Sequence, residues 1–256
     1  MVPVTEALFA AAGLQPGQTV LDVGCGTGPT TGRAAGAVRP GGRAVGTDVA
    51  AAMIETARAA SAAHPALPQP EWLVADAETH DFGAGTYDAV ISRFGVMFFA
   101  DPEAAFANLW RATAPGGRLV AAVWQTRDRV PLFDLPYRAA TRVLDELGLA
   151  YEPVAPDDSQ CSLGSDERVR SVLAPAGWRE ITTRPTDRRL HVGGRLTAAE
   201  AAQDALDIGP IRGVLEGRPE EIRERVREAL TREFERRHDG TGVVVDGGFM
   251  IVTARR

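Results

Sequence analysis

Lysine is absent from this chain of 256 residues, and all 28 basic residues are arginine. No reaction that needs a lysine amine is open to it. The two cysteines, Cys25 and Cys161, are too few for a disulfide framework, so a cytoplasmic, reducing setting is expected. No window approaches the roughly 18 consecutive apolar residues of a membrane span. The opening "MVPVTEALFAAAG" lacks the basic segment of a secretory signal. Internal repeats are missing as well. A net charge of −6 argues against general attraction to nucleic acid or anionic lipid, which takes a positive face.

What remains is a chain with 45 % hydrophobic residues, enough for a full core. Up to about residue 125, short β-like runs alternate with helical ones. Thr19–Gly24, Gly42–Val49, Glu71–Ala77, Tyr87–Phe94 and Gly117–Trp124 read as strands, apolar enough for a sheet covered on both faces. Helices are expected at Pro29–Val38, Ala50–Ala63 and Pro102–Ala114, the last opened by Asp101 as N-cap and Pro102 as first residue. The alternation predicts a doubly wound, Rossmann-like α/β fold with a mostly parallel sheet.

After Trp124 the pattern turns helical. Pro136–Leu147, Asp166–Trp178, Thr197–Leu215 and Pro219–His238 are expected helices, with a Pro/Asp-rich connection at Tyr151–Gln160. In Pro219–His238, Ile222, Val226, Leu230 and Phe234 recur every four residues, an apolar stripe with the charges outward. Residues 179–193 read as a strand. "GVVVDGGFMIVTARR" reads as two β-runs parted by Gly247–Gly248, with the final strand at Phe249–Ala254.

The specific chemistry begins at "VLDVGCGTG", where Gly24, Gly26 and Gly28 alternate straight after the first strand. Ligands of open α/β sheets bind beyond the carboxyl ends of strands, beside the first helix N-terminus, and side chains at these glycines would obstruct one there. Asp48 ends the second strand and suits the hydroxyls of a ribose. Asp76 ends the third and suits an exocyclic amine. The spacing G-x-G-x-G departs from the dinucleotide G-x-G-x-x-G, and no basic residue sits in the loop to meet a phosphate. A ligand with adenine and ribose but no phosphate fits best.

These residues, with "GTDVAAAMIETAR", "VADAETHDF" and "YDAVISRFGVMFFADPEAAFANLWRATAPGGRL", make Thr19 to Trp124 resemble a class I S-adenosylmethionine-dependent methyltransferase. The likeness is greatest to the ubiquinone/menaquinone-biosynthesis type and its small-molecule relatives. It implies a seven-stranded sheet with helices on both faces, an antiparallel last strand and a helical insertion in the C-terminal half. The implied layout is a single domain over 1–256, with a cofactor core at 19–125, substrate-side insertions at 126–165 and 195–240, and a final strand region at 243–256.

For the cofactor, S-adenosylmethionine with product S-adenosylhomocysteine, the resemblance implies the loop residues Asp22, Gly24, Cys25, Gly26 and Thr27. It adds Asp48 and Val49 at the ribose, Met53 on the adenine face, and Asp76 with the N–H of Ala77 at the adenine edge. Asp22 orients the loop or meets the cofactor ammonium. Arg93 stands where quinone enzymes commonly carry serine, and reaches the cofactor carboxylate, an anionic substrate or a neighbouring aspartate. Phe94, Met97, Phe98 and Trp124 are the expected substrate-pocket walls. Only residues 1–18 precede the first strand, so the N-terminal helical lid of relatives is expected to be short or missing.

The fourth strand ends "SRFG", without the Asn/Asp-Pro-Pro-Tyr/Phe of base-modifying enzymes and without acidic metal ligands. The expected reaction is metal-independent methyl transfer to oxygen, carbon or nitrogen of a small apolar or aromatic metabolite. The alternative is a cyclase or other non-methylating enzyme that retains the cofactor. Of four histidines, His64 and His238 read as exposed, His80 lies in a loop leading away, and His191 alone falls in the substrate-side region as a candidate base. The implied partner is a small-molecule substrate, with no nucleic acid and no membrane span, in a monomer or homodimer.

Overall fold

The computed structural model describes residues 1–256, the side chain of Ser159 excepted. In chain order the elements are α1 (Val2–Ala12), β1 (Thr19–Val23), α2 (Pro29–Ala37), β2 (Arg43–Asp48), α3 (Ala51–Ala62), β3 (Glu71–Val74), β4 (Tyr87–Arg93), α4 (Pro102–Ala112), β5 (Thr113–Trp124), α5 (Pro131–Glu146), α6 (Asp166–Leu173), β6 (Arg179–Val192), α7 (Ala198–Ala205), α8 (Pro210–Leu215), α9 (Glu220–Glu235) and β7 (Val243–Arg255). The seven strands form one sheet in the order β3-β2-β1-β4-β5-β7-β6.

Strands β1 to β5 pair in parallel, with Asp22 beside Gly46 on one side and Ile91 on the other. β7 runs the other way. Gln125 N–H donates to Gly248 O and Arg256 N–H to Gly117 O, so β7 descends as β5 rises. Thr182 meets Thr253 and Leu190 meets Gly247, which makes β6 antiparallel to β7 in turn. β1 therefore lies where the connections reverse direction, between β2 and β4. Such a switch point opens a crevice beyond the strand ends.

The chain divides into two compact units. The first comprises 1–123, 163–185 and 250–256. Its core is the alternation of strand and helix: Val20, Leu21, Ala89, Val90, Ile91 and Leu119 are fully buried. Each large side chain so buried contributes on the order of 1.5–3 kcal/mol. α4 begins as expected, Asp101 accepting from Ala104 N–H at 3.0 Å. It stops at Ala112 rather than Ala114, because Thr113 already pairs with Tyr87 and the β5 register shifts over "PGG".

The N-terminal segment, expected short or missing as a helix, is an eleven-residue helix. Val4, Leu8 and Ala12 recur every four residues on its buried side. Arg33 binds both oxygens of Glu6 and stacks 4.4 Å over the Phe9 ring, while Arg118 donates to Ala12 O at 2.6 Å. Arginines from other parts of the unit thus fasten this helix.

The second unit comprises 124–162 and 186–249. Its α5 and α9 share buried Tyr137, Leu144 and Val226 with Ile211 and Leu215 of α8, and Leu230 and Phe234 pack on α7. α5 opens at Pro131, one turn before the expected start, and carries Pro136 inside it. The expected helix Thr197–Leu215 is two helices parted at Gly209-Pro210. β7 runs unbroken through Gly247 and Gly248. A Cβ at Gly247 would strike Leu190, and one at Gly248 the Arg129 carbonyl, so these glycines admit neighbours rather than turn the chain. Among the described residues no helix is long and apolar enough to cross a membrane.

Candidate active site

The glycine turn after β1 and the turn after β4 interlock. Gly24 has φ +66, and a Cβ there would lie 2.6 Å from the Cα of Gly95. A Cβ on Gly95 would meet Val23 O at 2.5 Å. Ser92 closes the junction: its hydroxyl donates to Val23 O at 2.7 Å and accepts from Gly95 N–H at 3.2 Å. Between them Phe94 is held at φ +64, a left-handed conformation that costs a side-chain-bearing residue roughly 1–2 kcal/mol. Its N–H donates to Ala122 O at 2.9 Å, which helps fix the strained turn.

The other two glycines differ in purpose. Gly26, at φ +55, has no atom within 4 Å of its Cβ direction. A Cβ on Gly28 would strike the indole of Trp72, whose ring also lies 2.7 Å from the Cβ direction of Gly46. The third glycine therefore seats a tryptophan from β3, where the sequence alone pointed to room for a ligand. Asp48 ties the turn to the end of β2, its Oδ2 accepting from Gly26 N–H at 2.9 Å and its Oδ1 from Ala50 N–H at 3.0 Å.

Behind the turn Asp22 is buried. Its Oδ2 accepts from the hydroxyls of Thr30 (2.6 Å) and Thr31 (2.7 Å), while Oδ1 has no hydrogen-bond partner. Burial pushes this carboxyl up to about 6, against the pull of both threonines and the Arg93 charge. Arg93 is lowered by its own burial and raised by Asp22, and its Nη1 donates to Thr5 Oγ1 of α1 at 2.7 Å. The Cys25 thiol is pushed up to about 12 by burial and by the Asp22 and Asp48 charges, which leaves it inert at neutral pH.

A cleft of about 330 Å³ opens at these strand ends, lined among others by Gly24, Asp48, Val49, Asp76, Ala77, Glu78, Phe94 and Phe98. It gathers Gly24, Asp48, Val49, Asp76 and Ala77 of the residues expected at the cofactor, from three separate loops, while Asp22, Cys25, Gly26 and Arg93 are outside its lining. Met53, 45 % exposed on α3, is outside its lining. Thr27 lines a separate groove with Pro29 and Trp72. Of the expected substrate walls, Phe98 is exposed, Met97 is buried, and Trp124 is buried edge-to-face against Phe133, both within the second unit. None of the four histidines lines the cleft. His191 is exposed on β6, its Nε2 3.2 Å from Thr241 Oγ1 and 3.8 Å from Asp239 Oδ2.

Sequence reasoning missed Ser92, Glu78 and Asn108. Glu78 hid inside "VADAE", since no spacing rule marks an acid two places past Asp76. Asn108 had a signal: it is a polar residue in the buried stripe of α4, beside Ala105, Leu109 and Ala112.

The cleft lining carries three carboxylates and no basic side chain among the described residues. That donor set repels phosphate and accepts hydrogen bonds from hydroxyls, amines and an ammonium. An adenine nucleoside bearing an ammonium group therefore fits these residues. Gly26 and Asp22 lie outside that lining, and the unpartnered Asp22 Oδ1 is itself buried behind the turn.

Residues 21–121 match the family model of a methyltransferase domain. A ubiquinone/menaquinone biosynthesis C-methyltransferase of Klebsiella pneumoniae is 32 % identical over 178 residues, which cover 66 % of this chain and 70 % of that protein. The nocamycin O-methyltransferase of Saccharothrix syringae is 37 % identical over 117 residues, 46 % of this chain and 41 % of that one. Several curated relatives are matched over only 32 % to 43 % of their own length. Among solved structures, the YcgJ protein of Bacillus subtilis aligns over 100 % of this chain and 99 % of its own, with a TM-score of 0.63 at 14 % identity.

Proposed function

The chain belongs to the S-adenosylmethionine-dependent methyltransferases, and from that membership we propose that it methylates an oxygen, carbon or nitrogen atom of a small apolar or aromatic metabolite. The observation that carries the reading is the acidic, phosphate-excluding cleft at the end of β1, β2 and β3. When bound, the cofactor supplies an electrophilic methyl group on a sulfonium.

In this proposal the carboxylate of Asp48 accepts from the ribose hydroxyls. Asp76 accepts from the adenine amine, and Ala77 N–H donates to the ring. Gly24 and Gly26 leave the backbone bare beneath the amino-acid end, and Asp22, buried behind the turn on Thr30 and Thr31, orients the loop. Phe94 and Phe98 shield the mouth from water, which strengthens each of these polar contacts. Aligning the acceptor with the breaking bond is the main task left to the protein. We assign no general base, since no histidine lines the cleft and His191 contacts Thr241.

Calorimetric titration with S-adenosylhomocysteine tests the cofactor site, and absence of binding refutes the proposal. A labelled-methyl assay on a small-molecule extract tests the reaction. Label should pass to an apolar or aromatic product as S-adenosylhomocysteine accumulates; product formed without that by-product favours the cyclase-type alternative.

A further inference from the structure

The adenine-reading segment after β3 is held by α4. The Glu78 carboxylate binds two successive backbone amides where α4 begins, accepting from Ala100 N–H at 2.6 Å and Asp101 N–H at 3.0 Å. Both its oxygens are thereby used, at the positive end of the helix, where a carboxylate is favoured. The backbone N–H of the same residue donates to Asp76 Oδ1 at 2.9 Å. Glu78 thus grips α4 with its side chain and aims the Asp76 carboxylate with its main chain.

Asn108 makes the second tie. It is buried within α4, and its Nδ2 donates to Ala77 O at 2.9 Å and to His80 O at 2.8 Å. Its own Oδ1 accepts from Arg111, which fixes the amide orientation. Asp76 and Ala77, the two residues proposed to read the adenine edge, are therefore each fastened to α4 by one hydrogen-bonded link.

We propose that Glu78 and Asn108 are positioning residues that set the base selectivity of the cofactor cleft, by fixing Asp76 and Ala77 against α4. The inference rests on the reading of that cleft as an adenine-nucleoside site. Glu78→Gln puts an amide donor where one of two backbone donors now points, so one link of the bidentate grip is lost. Asn108→Ala removes both ties to the Ala77 and His80 carbonyls while adding nothing to the cleft. Both substitutions free the reading groups to swing: Asn108 lies outside the cleft lining, and Glu78, though part of it, has both oxygens taken by the start of α4.

The test compares S-adenosylhomocysteine with S-inosylhomocysteine, in which a carbonyl replaces the 6-amine, by calorimetry below the melting temperature of each protein. An amine that donates to a carboxylate should give the wild type a preference of about tenfold or more for the adenine compound. Both variants should reduce that preference severalfold, chiefly by weaker binding of the adenine compound. A purely structural role would lower the melting temperature and leave the ratio as it was. Should Asn108→Ala not fold, Glu78→Gln alone decides, being half-buried and isosteric. A variant with the wild-type ratio overturns the inference and leaves the nucleoside reading standing. A wild type that binds both compounds equally refutes the adenine reading, and the inference with it.

Discussion

Gly24→Ala and Gly26→Ala should fail at different stages, although the two glycines lie two residues apart in one turn. Each holds a left-handed backbone, which charges alanine about 1–2 kcal/mol. At Gly26 nothing lies within 4 Å of the added methyl, so no further loss of stability follows. A chain of this size then melts roughly 2–4 °C lower per kcal/mol. At Gly24 the methyl would sit 2.6 Å from the Cα of Gly95, backbone against backbone, with Ser92 pinning both turns. Overpacking of that kind adds about 1–3 kcal/mol. Thermal unfolding reads the first quantity, and calorimetry with S-adenosylhomocysteine the second. Gly26→Ala should melt within a few degrees of wild type, yet bind at least about tenfold more weakly, a loss of about 1.4 kcal/mol. Wild-type affinity in Gly26→Ala would refute the view that the space above it belongs to the cofactor. Equal melting of the two variants would refute the glycine-to-glycine contact.

Asp48→Ala removes the proposed ribose acceptor and the anchors of Gly26 and Ala50 together. Titration should show affinity for S-adenosylhomocysteine lower by about 1.5–3 kcal/mol, and an unchanged constant counts against the assignment. Asp22 titrates near 6 in the fold but near 3.9 in an unfolded chain, so its stabilising share is full below about pH 4 and is lost as pH rises through 6. That loss is on the order of 3 kcal/mol. Urea unfolding of Asp22→Asn against wild type should therefore shift in the variant's favour between pH 4 and 7, and a constant difference across that window defeats the argument. Asp101→Ala forfeits the cap of α4 and should cost about 0.5–2 kcal/mol in denaturant unfolding; no loss would show the cap to be idle.

The parallel half of the sheet was legible because its strands alternate with helices, of which α2 and α4 open with a proline in the first turn. The errors beyond Trp124 have physical causes. Pro131 and Pro136 both suit a helix start, and the sequence alone does not decide between them. Pro131 occupies the first turn, where a missing N–H costs nothing, and α5 carries Pro136 one turn later. Gly209-Pro210 advertised a break that the apolar periodicity of its flanks obscured. Gly247 and Gly248 looked like a turn because sequence does not show that Leu190 and Arg129 press on them. The same limit explains the site. Asp48, Asp76 and the glycines were readable because each lies at a strand end, at a fixed distance from the next. Ser92, Glu78 and Asn108 act across 69, 22 and 31 residues of chain, on backbone groups that carry no sequence signature.

Trp72 gives the glycine turn an optical handle. Its indole edge presses on Gly28 and Gly46, so any widening of the turn alters the packing around the ring. Emission from that ring should follow cofactor entry, and Trp72→Phe provides the blank against Trp110, Trp124 and Trp178. Candidate acceptors can then be screened by fluorimetry on unlabelled protein, before any product has been identified.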